Sequence, residues 1–378
     1  MTALLDEDQS MFRDAVHRFL AERAPVAGLR QLRDTNDATG FDRALWKEMA
    51  ELGCAGVLIP DNFGGTQFGF VGAGLVAQAI GRHLSVTPMV SSAVAATTAL
   101  LKGGSSGQQQ RWLPAIASGE AVLTVALDER SRHAPFHVAA VAAPDGADYR
   151  LSGTKLNVLD GHVADALIVS ARITGDVESR EGIAAFLVDG SLPGLSIERT
   201  VRVDSHNAAT VTFSNVRVPA AALLTQASGA EILDSALSAS RAVLAAELLG
   251  IAEEAFERTL NYLSEREQFG VKIGTFQALQ HRAAHLFCEI ELVRSAVFRA
   301  LQALDAADTD AERYVLLAKA KAGEVARLAT NEAIQMHGGI GMTDEFDIGF
   351  FMKRARAAGE TFGDSYFCAD RFAEFSGY

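Results

Sequence analysis

The spacing of apolar residues changes twice along this 378-residue chain, and that change limits the fold before any motif is considered. To about residue 115 the spacing is helical: Phe12, Val16, Phe19 and Leu20 recur at three and four residues behind an acidic first turn at Asp6–Asp8. Trp46, Met49 and Leu52, then Val76 and Ile80, continue it on either side of a breaker cluster, Pro60-Asp61-Asn62-Phe63-Gly64-Gly65, expected to be a loop. From about Ala121 the apolar runs become short: Val122–Leu127, Ala166–Val169, Ala184–Val188 and Val211–Phe213. Pro144-Asp145-Gly146 is expected to turn between two strands, and Val216-Arg217-Val218-Pro219 to form a final edge. After about Gly229 the helical spacing returns through Val243, Leu244, Leu248, Ile251 and Ala255, then Leu279, Leu286, Ile290, Val293, Val297 and Leu301. Stripes this broad suit a helical bundle. A mostly parallel α/β fold needs strands and helices to alternate, so helix, then β, then helix argues for α+β domains instead.

Lys and Arg number 34 against 47 Asp and Glu, a net charge of −13 with no basic run, which disfavours nucleic-acid and membrane-surface partners. The first eight residues are acidic where a secretory signal would be basic, and the apolar run Ala93–Leu101 carries Thr97-Thr98 and ends at Lys102. The expectation is a cytoplasmic protein without a membrane-spanning stretch. Cys54, Cys288 and Cys368 form no CxxC pair and are expected to be reduced.

Gly103-Gly104-Ser105-Ser106-Gly107 matches GxSxG, but an alanine-rich helix precedes it where a nucleophile elbow needs a strand, so it is expected to be an interhelical turn. HExxH, EF-hand, Walker A and strand-linked GxGxxG patterns are absent from the sequence, and no metal is expected. Two segments stand out. One runs from Arg266-Glu267-Gln268-Phe269-Gly270 to Phe276-Gln277; the other is Gln335-Met336-His337-Gly338-Gly339-Ile340-Gly341. An arginine fork suits pyrophosphate, a phenylalanine offers adenine a stacking face, and paired glycines let backbone approach a phosphate. Two ordinary interhelical connections would show much the same residues.

Taken in order, the Pro60…Gly64-Gly65 loop, Ala79-Ile80-Gly81-Arg82, Leu113-Pro114…Ser118-Gly119, Leu151-Ser152-Gly153-Thr154-Lys155 with Ala164-Asp165, and the two segments above resemble the acyl-CoA dehydrogenase family over essentially the full length. The resemblance implies a helical domain over 1–118, a middle β-barrel or sandwich-like domain over 119–226 and a C-terminal four-helix bundle over 227–378. It also implies FAD as cofactor, an acyl-CoA thioester as substrate desaturated between Cα and Cβ, and electron-transfer flavoprotein or a similar acceptor. Arg266 and Phe269 would hold the pyrophosphate and adenine side, with Phe276 and Gln277 nearby, while Gln335, Gly338 and Gly339 would meet the FAD of a neighbouring subunit. That implies a homo- or hetero-oligomer.

The reaction removes a proton α to the thioester carbonyl and so needs a positioned carboxylate. Counted from Gly338-Gly339, the place of the family's glutamate falls on Phe362, followed by Gly363-Asp364, and the alternative place on the bundle helix falls on Ser240 before Arg241. Glu360 is a candidate, but two residues along a helix turn a side chain by about 200°. The family's flavin-edge run becomes Asp128-Glu129-Arg130-Ser131-Arg132, and its tryptophan-isoleucine-threonine becomes Asn157-Val158-Leu159. These joint losses resemble divergent members that pair with a complete sister acyl-CoA dehydrogenase chain in degrading CoA thioesters with bulky groups such as steroid side chains. The full-length match puts a catalytic dehydrogenase first, with a non-catalytic subunit completing a partner's FAD site as the rival. Loss of the flavin-edge residues along with the base favours an incomplete site over a base relocated to Glu360.

Overall fold

The acidic start of the first helix is a capping box, in which Asp6 accepts the Gln9 N–H at 2.7 Å and the Gln9 side chain accepts the Asp6 N–H at 3.2 Å. It opens α1 (Glu7–Arg23) in a computed structural model that describes residues 5–378. The first four residues of the acidic terminus lie outside the described residues. Helices α2 (Val26–Thr35), α3 (Arg43–Glu51) and α4 (Gly69–His83) follow, then an eight-residue π-helix, Met89–Ala96, running into α5 (Thr97–Gly103), and α6 (Ser106–Ala117). Seven strands come next: β1 (Leu123–Ala126), β2 (Val141–Asp145), β3 (Asp148–Leu159), β4 (Ala166–Arg172), β5 (Ile183–Asp189), β6 (Leu195–Val201) and β7 (Asn207–Val218). The chain ends with α7 (Gly229–Glu265), a hairpin of β8 (Glu267–Gln268) and β9 (Val271–Lys272), α8 (Gln277–Asp305), α9 (Ala311–His337), α10 (Ile348–Glu360) and α11 (Ser365–Phe375). Helix, β, helix is the order the spacing predicts. The GxSxG segment is a turn: Ser105 caps α6 and its hydroxyl accepts the Gln108 N–H.

Two compact units interleave in sequence. One comprises residues up to Thr35, Phe70–Val86 and Arg241–Tyr378; the other comprises Asn36–Gly69 and Thr87–Ser240.

The second unit holds one seven-stranded sheet ordered β1-β4-β2-β3-β7-β6, with β5 also on β4. Every residue of β1 and β4 is buried, the polar Thr124, Ser170 and Arg172 included. β2 and β3 pair antiparallel around a two-residue turn in which Gly146 has φ +66°. At Val216-Arg217-Val218 the strand pairs with β3 alone, so this end of β7 is an edge as expected, whereas Asn207–Phe213 of the same strand lies between β3 and β6. Pro219 lies just past its end, where the missing N–H breaks no ladder bond. Alongside Asn207–Phe213, β6 is the edge.

In the first unit, Val243, Leu244, Leu248, Ile251 and Ala255 of α7 and Leu286, Ile290, Val293, Val297 and Leu301 of α8 are buried, as their spacing predicts. Helices α4 and α7 cross so closely that a Cβ on Gly81 would lie 2.1 Å from the Glu247 carbonyl oxygen, and one on Gly250 2.0 Å from that of Gln78. By length and composition alone α7 passes as a membrane-crossing helix, although charged residues such as Asp234, Arg241 and Glu247 interrupt it. Yet 94% of that stretch is buried inside the protein, and its scattered charges are what hid it from a search for unbroken apolar runs.

Candidate functional site

The last turn of α7 leads straight into the first motif. The Arg266 N–H donates to the Tyr262 carbonyl at 2.9 Å, and the Arg266 carbonyl accepts from Ile273 N–H at 2.9 Å, which closes the hairpin. Phe269 (φ +54°) and Gly270 (φ +79°) form its turn, both left-handed, the conformation that matches a tight hairpin's twist. For a phenylalanine this backbone costs roughly 1–2 kcal/mol. The result is a ring 91% exposed, 6.2 Å from and edge-on to the ring of Phe276. Arg266 and Gln277 are exposed too, and Arg266 makes no ion pair among the described residues.

The second motif ends α9. Gln335 faces solvent, and Gly338 stops the helix at φ +67°, ψ −141°, a conformation essentially reserved for glycine. A Cβ built on Gly338 or Gly339 meets nothing within 4 Å, so open space lies over this backbone. His337, one residue earlier, stacks on Tyr262 with ring centroids 4.4 Å apart and lies 4.9 Å from Phe346. Tyr262 is also one turn before Arg266. The structure therefore brings the two motifs to the same end of the same chain, and an aromatic stack that the sequence reading missed joins them. Uncovered aromatic, guanidinium and bare backbone are the groups that an adenine and a pyrophosphate require, so this end fits the nucleotide half of FAD.

The positions for a base tell otherwise. Phe362 is buried in left-handed backbone (φ +57°), and its carbonyl accepts from Arg241 Nε at 2.8 Å. Lys319 on α9, wholly buried, donates from Nζ to the Gly359 carbonyl at 2.7 Å and the Gly363 carbonyl at 3.0 Å. Burial, with a contribution from Arg241, lowers its pKa to about 8, against the opposing pull of Cys368, Glu360 and Asp364. Glu360 does not share the Phe362 position. Its side chain is 61% exposed at the end of α10 and opens on a cleft of about 270 Å³ with Arg327, Arg356, Ser365 and Tyr366. Asp364 caps α11 by accepting the Phe367 N–H at 2.7 Å. Ser240 is buried and turns its hydroxyl back onto the Ala236 carbonyl at 2.7 Å. None of these positions holds a buried carboxylate free to take a proton.

In the β-sheet unit the residues at the flavin-edge places are bound to their own chain. Glu129 accepts from the wholly buried Lys155 at 2.6 Å, and also from Ala139 N–H at 2.7 Å and Ala140 N–H at 3.1 Å. The remaining Lys155 hydrogen bonds go to the Leu127 carbonyl at 3.1 Å and Ser170 Oγ at 2.8 Å. Burial pushes the lysine pKa down while Glu129 and Asp128 hold it up. Asp128 accepts from Ala134 N–H at 3.0 Å and pairs with His133 Nδ1 at 2.8 Å. Asn157 sits in a β-bulge at φ +52° with Val158 buried behind it. These two carboxylates accept from the 128–140 loop and from Lys155, so their oxygens are taken up within the chain rather than presented outward.

Comparison with known proteins gives a consistent result. Models of the acyl-CoA dehydrogenase N-terminal, middle and C-terminal domains match residues 6–120, 128–216 and 227–374. The mitochondrial isovaleryl-CoA dehydrogenase of Pongo abelii is 30% identical over 363 residues, 93% of this chain and 84% of that one. A probable acyl-CoA dehydrogenase of Bacillus subtilis, YngJ, is 31% identical over 361 residues, 93% of each. Among solved structures, the Tcur3481-Tcur3483 steroid ACAD superposes with a TM-score of 0.88 at 31% identity over 99% of both chains. The ChsE4-ChsE5 complex from Mycobacterium tuberculosis gives 0.90 at 26% over 100% of this chain and 99% of that one.

Proposed function

The chain belongs to the acyl-CoA dehydrogenase family, and from that premise we propose that it is the subunit of a heteromeric acyl-CoA dehydrogenase that completes a sister chain's FAD site without supplying the base. The reaction served is the α,β-desaturation of an acyl-CoA thioester. FAD, the family's cofactor, supplies the hydride acceptor when bound. In this reading Arg266 donates charged hydrogen bonds to the pyrophosphate, Phe269 and Phe276 cover the adenine, and Gln277 and Gln335 offer amides beside it. The Gly338-Gly339 backbone admits the phosphates where a side chain would stand off. The stack of Tyr262 on His337 holds the two motifs side by side, which supports both facing one nucleotide rather than the separate FADs that the resemblance implies.

The observation that carries the reading is the contrast between the two ends of the chemistry. The nucleotide groups are uncovered, whereas the base position is a buried phenylalanine whose turn is pinned by Arg241 and Lys319. A base relocated to Glu360 would need desolvation to work near neutral pH, and Glu360 is mostly in water. The likeness to a steroid ACAD and to the ChsE4-ChsE5 complex supports a bulky acyl group and a two-chain assembly. The likeness to an electron transferring flavoprotein structure supports that class of acceptor.

Purification alone and together with a sister acyl-CoA dehydrogenase chain that carries the glutamate is the test. The reading expects FAD and substrate-driven flavin bleaching only in the mixed assembly. Rapid anaerobic bleaching by the pure chain would overturn it.

A further inference from the structure

His337 is 3% exposed, and its two ring nitrogens are treated differently by the fold. Nδ1 lies 2.7 Å from the Ala333 carbonyl, an acceptor, so Nδ1 carries a proton. Nε2 is buried and meets no hydrogen-bond partner among the described residues. The ring is held between Tyr262 of α7 and Phe346 of the following loop, 28° and 48° from their planes, and the next residue is Gly338. The Gly338 N–H in turn closes α9 onto the carbonyls of Ile334 and Gln335.

Resting on the nucleotide-binding reading above, we propose that the neutral imidazole of His337 is the positioning residue for the Gly338–Gly341 turn, and that its protonation releases that turn. A second proton on Nε2 would be a buried N–H⁺ with no acceptor, which the packed stack can relieve only by opening. The charged groups on the packed elements do not offset this. Glu332 on α9 pairs with Arg282 at 2.9 Å, Arg258 on α7 with Glu254 at 2.8 Å, and Asp347 on the loop with Arg30 at 2.9 Å; Asp344 is held by Arg33. Burial lowers the His337 pKa, and the Ala333 carbonyl opposes it. With the folded pKa below the unfolded value, the closed turn is stable at neutral pH and loses stability as pH falls below about 6.5.

The experiment is hydrogen exchange at the Gly338 and Thr343 amides of the full chain without FAD, from pH 7.5 to 5.5, corrected for the intrinsic rate. Protection in the wild type should fall by up to about tenfold per pH unit once the ring titrates. His337→Phe keeps an aromatic ring between Tyr262 and Phe346 and cannot titrate, and His337→Asn keeps a donor for the Ala333 carbonyl. Either folded variant should show a flat profile. A flat wild-type profile, or an equal fall in the variants, overturns the proposal. FAD release from the mixed assembly over the same range is measured separately. If the chain binds no nucleotide, that arm alone fails and the exchange result still decides the role of His337.

Discussion

Arg241 Nε and the Phe362 carbonyl meet at 2.8 Å, so the turn that would present a catalytic carboxylate is anchored from α7 while its side chain is buried. Lys319 holds the same turn from α9 through Gly359 and Gly363. Two cations thus fix a turn that carries no base.

Lys319→Met should destabilise the chain, because the Gly359 and Gly363 carbonyls lose their donor in a buried place. An unsatisfied buried polar group costs about 1–3 kcal/mol. Chemical denaturation at pH 7 measures it. The pH dependence has a definite sign. With the folded pKa lowered to about 8 from 10.5, the unfolded chain binds more protons in that window, so this lysine's contribution to stability grows as pH rises through it. The wild type should show that gain and Lys319→Met should not.

Arg266→Ala should leave the fold intact, since the side chain is exposed, and weaken FAD retention in the mixed assembly. The loss of a charged hydrogen bond amounts to about 1.5–3 kcal/mol, roughly ten- to a hundredfold in affinity. Unchanged retention in a flavin titration would remove Arg266 from the site.

Glu360→Gln should change nothing in flavin bleaching by the mixed assembly. The pure chain should bleach slowly or not at all, since a missing positioned base costs about 10²–10⁴-fold. Activity of the pure chain that Glu360→Gln abolishes would place the base at Glu360.

Lys155→Met should be among the most damaging substitutions in the sheet unit. It leaves the Glu129 carboxylate buried without its cation, and breaking one side of a buried pair costs about 3–5 kcal/mol. Thermal melting followed by circular dichroism checks this, with Arg217→Met, at a largely exposed pair with Asp148, as the mild control.

The helix and strand blocks were legible because burial writes its period into the sequence, as α7 and α8 demonstrate at Val243, Leu248, Leu286 and Val293. The pairing of β6 along Asn207–Phe213 of β7 was not, because an interior antiparallel strand and an edge strand share the same alternation, and only the partner beyond distinguishes them. The interleaving of the two compact units depends on contacts between distant segments, which no local pattern records. At the site, Arg266, Phe269 and the paired glycines announce themselves by motif. Tyr262, His337 and Lys319 do not: a buried lysine and an aromatic stack are defined by what surrounds them in space, and the residues near them in sequence are ordinary helix formers.

Phe269 bears on how the protein is supplied. Its turn holds a left-handed phenylalanine with 91% of its surface in water, so a solitary copy carries both backbone strain and an exposed ring. Neither is relieved by anything the chain can do within itself. Under the two-chain reading proposed above, the sister chain would cover this ring, and copies made in excess of that partner would keep it exposed. Balanced synthesis of the two chains would then follow from one hairpin turn.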